Sequence, residues 1–239
     1  MNELDIAKVA ERFEKESSAD KVSTSVDLIR WGCDTFKDKL AIACSLGAED
    51  MVIMDMSVKV YPNVVFLFLD TDFHFKDTLE LLEEVKKIYK PNIKIVKPEI
   101  TKEEQAKRYG ENLFFIDPNL CCQMRKVIPI RGALSGYSAW ITGIRRDQAP
   151  TRANTPFVER DKNFEKVKIN PLVKWTWNEV WDYIKKNNVP YNRLHDMGYP
   201  SIGCAPCTQP VKPGEDLRAG RWKGTEKTEC GLHPADAKN

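Results

Sequence analysis

Seven cysteines are spread through the 239 residues, and five of them stand where thiols do chemistry rather than packing. Cys204 and Cys207 form a Cys-x-x-Cys pair within Tyr199-Pro200-Ser201-Ile202-Gly203-Cys204-Ala205-Pro206-Cys207, and Cys121 and Cys122 stand side by side upstream. Four thiolates are a ligand set for a structural zinc ion or for an iron–sulfur cubane. Adjacent side chains diverge, which suits two separate irons better than one zinc and tilts the reading toward the cubane, although spacing alone leaves both open. The fifth, Cys230, lies between Glu229 and Gly231-Leu232-His233, beyond a stretch broken by Pro210, Pro213, Gly214, Gly220 and Gly224. Outside the four-ligand set, on what reads as a flexible arm, it is a candidate nucleophile that attacks, carries a covalent intermediate and swings out for release. Arg218, Arg221 and His233 nearby would lower its pKa and neutralise an anionic substrate. Cys33 and Cys44 lie in apolar contexts and read as plain buried residues.

The overall charge is only +2, but Arg125, Lys126, Arg131, Arg145, Arg146, Arg152 and Arg160 crowd one region that holds few acids. A solvated basic face is the ordinary explanation. Arginines bracketed by Gly and Pro also suit fixed contacts to a small phosphate- or sulfate-bearing ligand. Without a recognised nucleic-acid motif or an overall basic excess, nucleic acid is not the expected partner. No run approaches the roughly 18 apolar residues of a membrane helix, so no membrane association is expected. The first residues are acidic where a signal peptide would be basic, which points to the cytoplasm and to metal or redox thiols rather than disulfides.

The elements that must hold these groups follow an alternating pattern. Residues 4 to 36 show two amphipathic helical stretches. Leu40-Ala41-Ile42-Ala43-Cys44 predicts a buried parallel strand, followed by Ser45-Leu46-Gly47-Ala48-Glu49-Asp50 and a helix: a strand, tight turn and helix N-terminus that form a ready anion site. It is neither a Gly-x-Gly-x-x-Gly fingerprint nor a P-loop. A second unit runs from strand 64–69 through Asp70-Thr71-Asp72 to a helix over Asp77–Tyr89, with Asp77 and Glu80 spaced as a capping box. Strand 93–96, a helix from Cys121 to about Leu134 and strand 140–143 come next, then a basic loop and a polar stretch over 153–168 that reads as a mobile loop or small hairpin. A last helix over Thr176–Asn187 carries Trp177, Val180, Trp181 and Ile184 as core, and His195 reads as structural, bonded to the backbone. Alternation implies an α/β fold with a parallel sheet, ligands gathering at the carboxyl ends of the strands, and one domain over residues 1–208 with an arm over 209–239.

Taken together, Ser45–Asp50, Leu69-Asp70-Thr71, Cys121-Cys122 with Arg125-Lys126, and Ile141-Thr142-Gly143 with Arg145-Arg146-Asp147-Gln148 carry a resemblance over residues 39 to 233. Asn170-Pro171-Leu172, Gly198–Cys207, Arg218-Ala219-Gly220-Arg221-Trp222 and Glu229–His233 extend it. The chain resembles the assimilatory adenylylsulfate reductases of the adenylylsulfate/phosphoadenylylsulfate reductase family. That resemblance implies an adenine nucleotide alpha hydrolase (nucleotide-hydrolase-like) fold and a [4Fe-4S] cluster on Cys121, Cys122, Cys204 and Cys207. It implies attack of Cys230 on the sulfur of adenylylsulfate, AMP as leaving group, and thioredoxin as reductant of the resulting S-sulfocysteine. It places Lys126 between cluster and substrate, Arg152, Arg218, Arg221 and His233 around the phosphosulfate, and Ser45, Gly47, Leu69 and Thr71 against the nucleotide. Two positions depart from the family pattern: Leu46 stands where many relatives have a second small hydroxyl residue, and Trp222 is followed by Lys223-Gly224 instead of a tryptophan-rich run. Phosphoadenylylsulfate is the alternative substrate of the same chemistry. A tRNA-thiolating enzyme of similar fold would need a different pyrophosphatase loop, and a zinc-stabilised binding module would leave Cys230 without a role. Whether the chain forms a homo-oligomer is open at this level.

Overall fold

The computed structural model describes residues 2–17 and 20–232. Four short strands, β1 (Leu40–Cys44), β2 (Val65–Leu69), β3 (Asn92–Val96) and β4 (Ala139–Ile141), precede a hairpin of β5 (Val158–Asp161) and β6 (Lys166–Ile169). They form a six-stranded sheet in the order β3-β2-β1-β4-β6-β5. All neighbours are parallel except the edge pair β5–β6. The polar stretch after the basic loop is thus the hairpin.

Side chains alternate between the faces of a strand, and here both faces are buried. Ile42, Phe66, Phe68, Ile141 and Ile169 enter one core together with α1 (Glu3–Glu16), α2 (Lys21–Phe36), α3 (Ala48–Val60), α4 (Lys76–Ile88) and the later α9 (Trp177–Asn187). Ala41, Leu67 and Trp140 enter a second, smaller core with Val127, Ile130 and Leu134. Burying each large apolar side chain contributes roughly 1.5–3 kcal/mol, which is what holds helices to both sides of the sheet.

Three local expectations change. Helix α4 starts one residue earlier, with Phe75 as its N-cap and no side-chain cap, so Asp77 and Glu80 form no capping box. The expected single helix over 121–134 is α7 (Pro118–Cys122), a π-helical turn (Gln123–Val127) and α8 (Ile128–Leu134), two minor helices, α5 (Lys102–Tyr109) and α6 (Leu113–Ile116), coming before it. Pro129 explains the break: it has no N–H to give the carbonyl four residues back, and the chain widens so that the Ile128 N–H bonds to the Gln123 carbonyl. The arm, read as flexible with its resting position open, lies folded back on the domain over its described residues. Its Gln209 N–H bonds to the Gly220 carbonyl, Trp222 N–H to Cys207 O and Val211 N–H to Gly198 O, each at 2.9 Å. No helix among the described residues is long and apolar enough to cross a membrane.

Candidate active site

Because β1, β2 and β4 are parallel, the loops after them open on the same edge, where a cleft of about 220 Å³ lies under the C-terminal arm. Ser45, Gly47, Leu69, Thr71, Lys126, Arg152, Arg218, Arg221, Cys204 and Cys230 all line it. Residues separated by up to 185 positions therefore meet as the sequence predicts. His233 lies outside the described residues.

The loop after β1 differs from an open anion site. Ser45 N–H and Ser45 Oγ both donate to one oxygen of Asp50, at 2.6 Å each. The first turn of α3 supplies its own anion, and burial pushes the Asp50 carboxyl up to about 6 against the pull of these hydrogen bonds. Leu46 turns back at φ 60° with its side chain buried in the core, so the departure from the family's hydroxyl residue is used for packing. In the loop after β2, the His74 Nε2–H donates to the Leu69 carbonyl at 3.0 Å, and the His74 ring stacks on Phe68 at 5.0 Å. Thr71 turns its hydroxyl toward Cys204, with Oγ1 3.3 Å from Sγ.

The four ligand-candidate cysteines come together. Cys121, Cys122, Cys204 and Cys207 line a small adjoining cavity with Arg125, Lys126 and Phe73. Among the described residues, no three His, Cys, Asp or Glu side chains converge as the ligands of a single metal ion. Burial and the neighbouring cysteines push Cys121 up to about 12 and Cys207 up to about 11, which keeps both as neutral thiols unless a cation binds them. Arg125 is fully buried there, bonded to Gln105 (2.6 Å) and Asp72 (2.9 Å), while its Nη2 has no partner. An unspent buried donor beside four thiols fits an acceptor-rich cluster in that cavity. Cys33 is buried away from the cleft and Cys44 is buried in its wall, and burial pushes both thiols up, as for unreactive cysteines.

The basic run divides on folding. Arg145 is buried in ion pairs with Glu49 (2.9 Å) and Asp147 (2.8 Å), and Arg146 pairs with Glu14 at 3.0 Å. Arg145 nonetheless lines the cleft, as do Lys126, Arg152, Arg218 and Arg221, and of these Arg152 and Arg218 are paired with Glu229. Burial alone would depress the Lys126 ammonium, but the thiols of Cys204, Cys230 and Cys122 outweigh it and raise its pKa. Conversely, burial would raise the half-buried Cys230, yet Lys126, the Leu232 N–H and Arg221 together hold its thiol below the ordinary range. Arg221 donates to Ser201 Oγ at 3.1 Å and lies over the Trp222 ring at 4.4 Å. Cys230 thus has a thiol whose pKa is lowered by nearby cations, in a cleft also lined by Arg152 and Arg218.

Known proteins of this organisation can now be compared. The model of the phosphoadenosine phosphosulfate reductase domain matches residues 39–210. The chain belongs to the phosphoadenosine phosphosulfate reductase family. It is 56% identical to the adenosine 5′-phosphosulfate reductase of Halalkalibacterium halodurans over 87% of this chain and 91% of that one. Identity to adenosine 5′-phosphosulfate reductase 1 of Bacillus subtilis is 50%, over 90% and 92% of the two chains. Among solved structures, the phosphoadenylyl-sulfate reductase of Candida auris superposes with a TM-score of 0.68 at 36% identity, covering 76% of this chain and 88% of that one. FMN adenylyltransferase of Candida glabrata shares the fold alone, with a TM-score of 0.54 at 16% identity over 96% and 85%. The adenine nucleotide alpha hydrolase fold expected from the motifs is the observed one.

Several site residues of this family member were not legible as such. Trp177 packs against the core as read and also lines the cleft, facing Arg145 at 5.6 Å and His195 at 5.8 Å. His195 is held through Nδ1 to the Tyr199 carbonyl at 2.8 Å, as expected, but its Nε2 is buried without a partner and the residue lines the cleft. Glu229, noted only as a neighbour of Cys230, is the ion-pair partner of Arg152 and Arg218, at 2.6 and 3.2 Å. No pattern in the sequence marks these; each role depends on which loop lies opposite.

Proposed function

We propose that this chain reduces adenylylsulfate to sulfite and AMP. The observation that carries the reading is Cys230, half-buried in a cleft with Lys126 and Arg221 acting on its thiol and Arg152 and Arg218 beside it. Reductase names among relatives of about half identity over nine-tenths of the chain support it. The Cys230 thiolate forms a bond to the sulfonyl sulfur while the sulfur–oxygen bond to the phosphate breaks. AMP leaves with that electron pair, and its phosphate needs no strong general acid. Lys126, Arg152, Arg218 and Arg221 balance charge developing on the sulfonyl and phosphate oxygens. The product is S-sulfocysteine at Cys230. A separate dithiol protein of the thioredoxin type then attacks Cys230 Sγ, releases sulfite and ends as a disulfide, which accounts for the two electrons. The segment that carries Cys230 opens for that second step. His233 is proposed to contribute beside Cys230.

The adenosine half is assigned to the rim formed by Ser45, Gly47, Leu69 and Thr71. Cys121, Cys122, Cys204 and Cys207 fit a [4Fe-4S] cluster, which when bound supplies charge beside Lys126 and does not deliver the electrons. Iron and sulfide analysis distinguishes this cluster from zinc. The function is tested by intact-protein mass spectrometry of cluster-loaded enzyme incubated with adenylylsulfate without thioredoxin. A sulfonate adduct is expected, absent in Cys230→Ser; no adduct, with iron intact, overturns the assignment. A parallel incubation with phosphoadenylylsulfate reports whether that nucleotide is also a substrate.

A further inference from the structure

The arginines assigned to the substrate are already holding an anion, and that anion belongs to the arm. Arg152 grips Glu229 with two nitrogens, Nε at 2.9 Å and Nη2 at 2.6 Å, and Arg218 Nη2 adds a third contact at 3.2 Å. Thr151 Oγ1 donates to the same carboxylate at 3.3 Å. The Glu229 side chain is 7% exposed and lines the cleft. A planar two-oxygen anion gripped by paired guanidinium donors presents what a phosphate or sulfate oxygen pair would present.

A second attachment does not involve charge. Leu232 packs against the small core of Val127, Ile130, Trp140 and Phe164, and Asn163 Nδ2 donates to the Gly231 carbonyl at 3.3 Å. Cys230 therefore lies between an ionic tether on its N-terminal side and an apolar anchor on its C-terminal side.

We propose that Glu229 is a positioning residue that occupies the Arg152–Arg218 pair until the substrate's anionic group replaces it, the Leu232 anchor keeping Cys230 in the cleft during the exchange. This rests on the adenylylsulfate reading above. The physical requirement is simple: one pair of guanidinium groups cannot hold the carboxylate and a phosphosulfate oxygen pair at full strength together. The exchange sets the affinity for the nucleotide below what the arginines could reach, and returning Glu229 helps expel AMP once sulfur has passed to Cys230.

The sign of the outcome separates this from a structural role. A residue that merely braces the arginines weakens ligand binding when replaced, whereas an internal competitor strengthens it. Binding of adenylylsulfate and of AMP is measured by calorimetry on cluster-loaded Cys230→Ser protein, with and without Glu229→Gln. Both dissociation constants are expected to fall roughly tenfold in the double variant, the equivalent of one freed charge-assisted pair. Glu229→Asp, which keeps the charge on a shorter stem, should fall between the two. Equal or weaker binding with Glu229→Gln overturns the proposal. Failure of the Cys230→Ser protein itself to bind either nucleotide would instead overturn the functional reading on which it rests.

Discussion

Gly203 lies directly beneath the guanidinium of Arg221: a Cβ added at residue 203 would overlap its Nη2 and stand 2.7 Å from its Cζ. The residue before the Cys-x-x-Cys pair thus has no room for a side chain because an arm arginine needs the space. Gly203→Ala should displace Arg221 and slow sulfonation of Cys230 by about tenfold to a hundredfold, the order expected for loss of one fixed charge donor. Single-turnover mass spectrometry measures the rate, and visible absorbance checks that cluster content is retained. Wild-type kinetics with full iron would show that Arg221 has no part in the reaction.

Lys126 sets the pH range of the nucleophile. Burial opposes the Cys230 thiolate, and Lys126 is the first of the groups that reverse it, bringing the thiol below its ordinary value of 9.0. A lowered pKa keeps the thiolate populated further toward neutral pH, so the sulfonation rate falls only as pH drops through that lowered value. Lys126→Gln removes the charge, and the rising limb of the pH–rate profile should move to higher pH. An unmoved limb, with a lower rate throughout, would assign Lys126 to substrate charge alone.

Thr71 lines the cleft and also turns its hydroxyl to the sulfur of Cys204. A hydroxyl donating to a thiolate ligand steadies it, and loss of such outer partners typically costs about 10–100-fold in metal affinity. Thr71→Val keeps the volume and removes the donor. Iron should be lost faster to a chelator, read from the decay of visible absorbance, while AMP affinity changes little. The reverse pattern would leave Thr71 with the nucleotide alone.

Leu232 anchors the end of the arm. Truncating this half-buried side chain should cost about 1–2 kcal/mol of seating, less than full burial of a leucine is worth. Leu232→Ala is expected to lower the saturated sulfonation rate roughly tenfold with the dissociation constant for AMP unchanged, because the arginines remain. A change in AMP affinity with an unaltered rate would contradict the anchoring role.

What the sequence alone determined is the chemistry that depends on residue type and short spacing. Apolar runs such as Leu40–Cys44 and Val65–Leu69 are strands wherever they occur in a buried sheet, and parallel strands deliver their following loops to one edge. The pairing of Cys121-Cys122 with Cys204–Cys207, and the isolation of Cys230, are likewise legible from composition and order. Local competition already exceeded that reach: Pro129 converted an expected continuous helix into a π-helical turn, and Phe75 rather than Asp77 took the cap of α4.

Only tertiary structure decided which charges are spent. Arg145 and Arg152 sit in the same basic loop and both line the cleft, yet Arg145 pairs with Glu49 and Asp147 while Arg152 meets Glu229 of the arm. Asp50 closes on Ser45 and turns an apparent anion site inward. Trp177 packs against the core as its spacing marks it and serves the cleft wall as well. A charged side chain is long and its energy depends on burial and on partners far away in sequence, 96 positions for Arg145 with Glu49 and 132 for Arg146 with Glu14. Periodicity cannot encode such partners; the folded chain selects them.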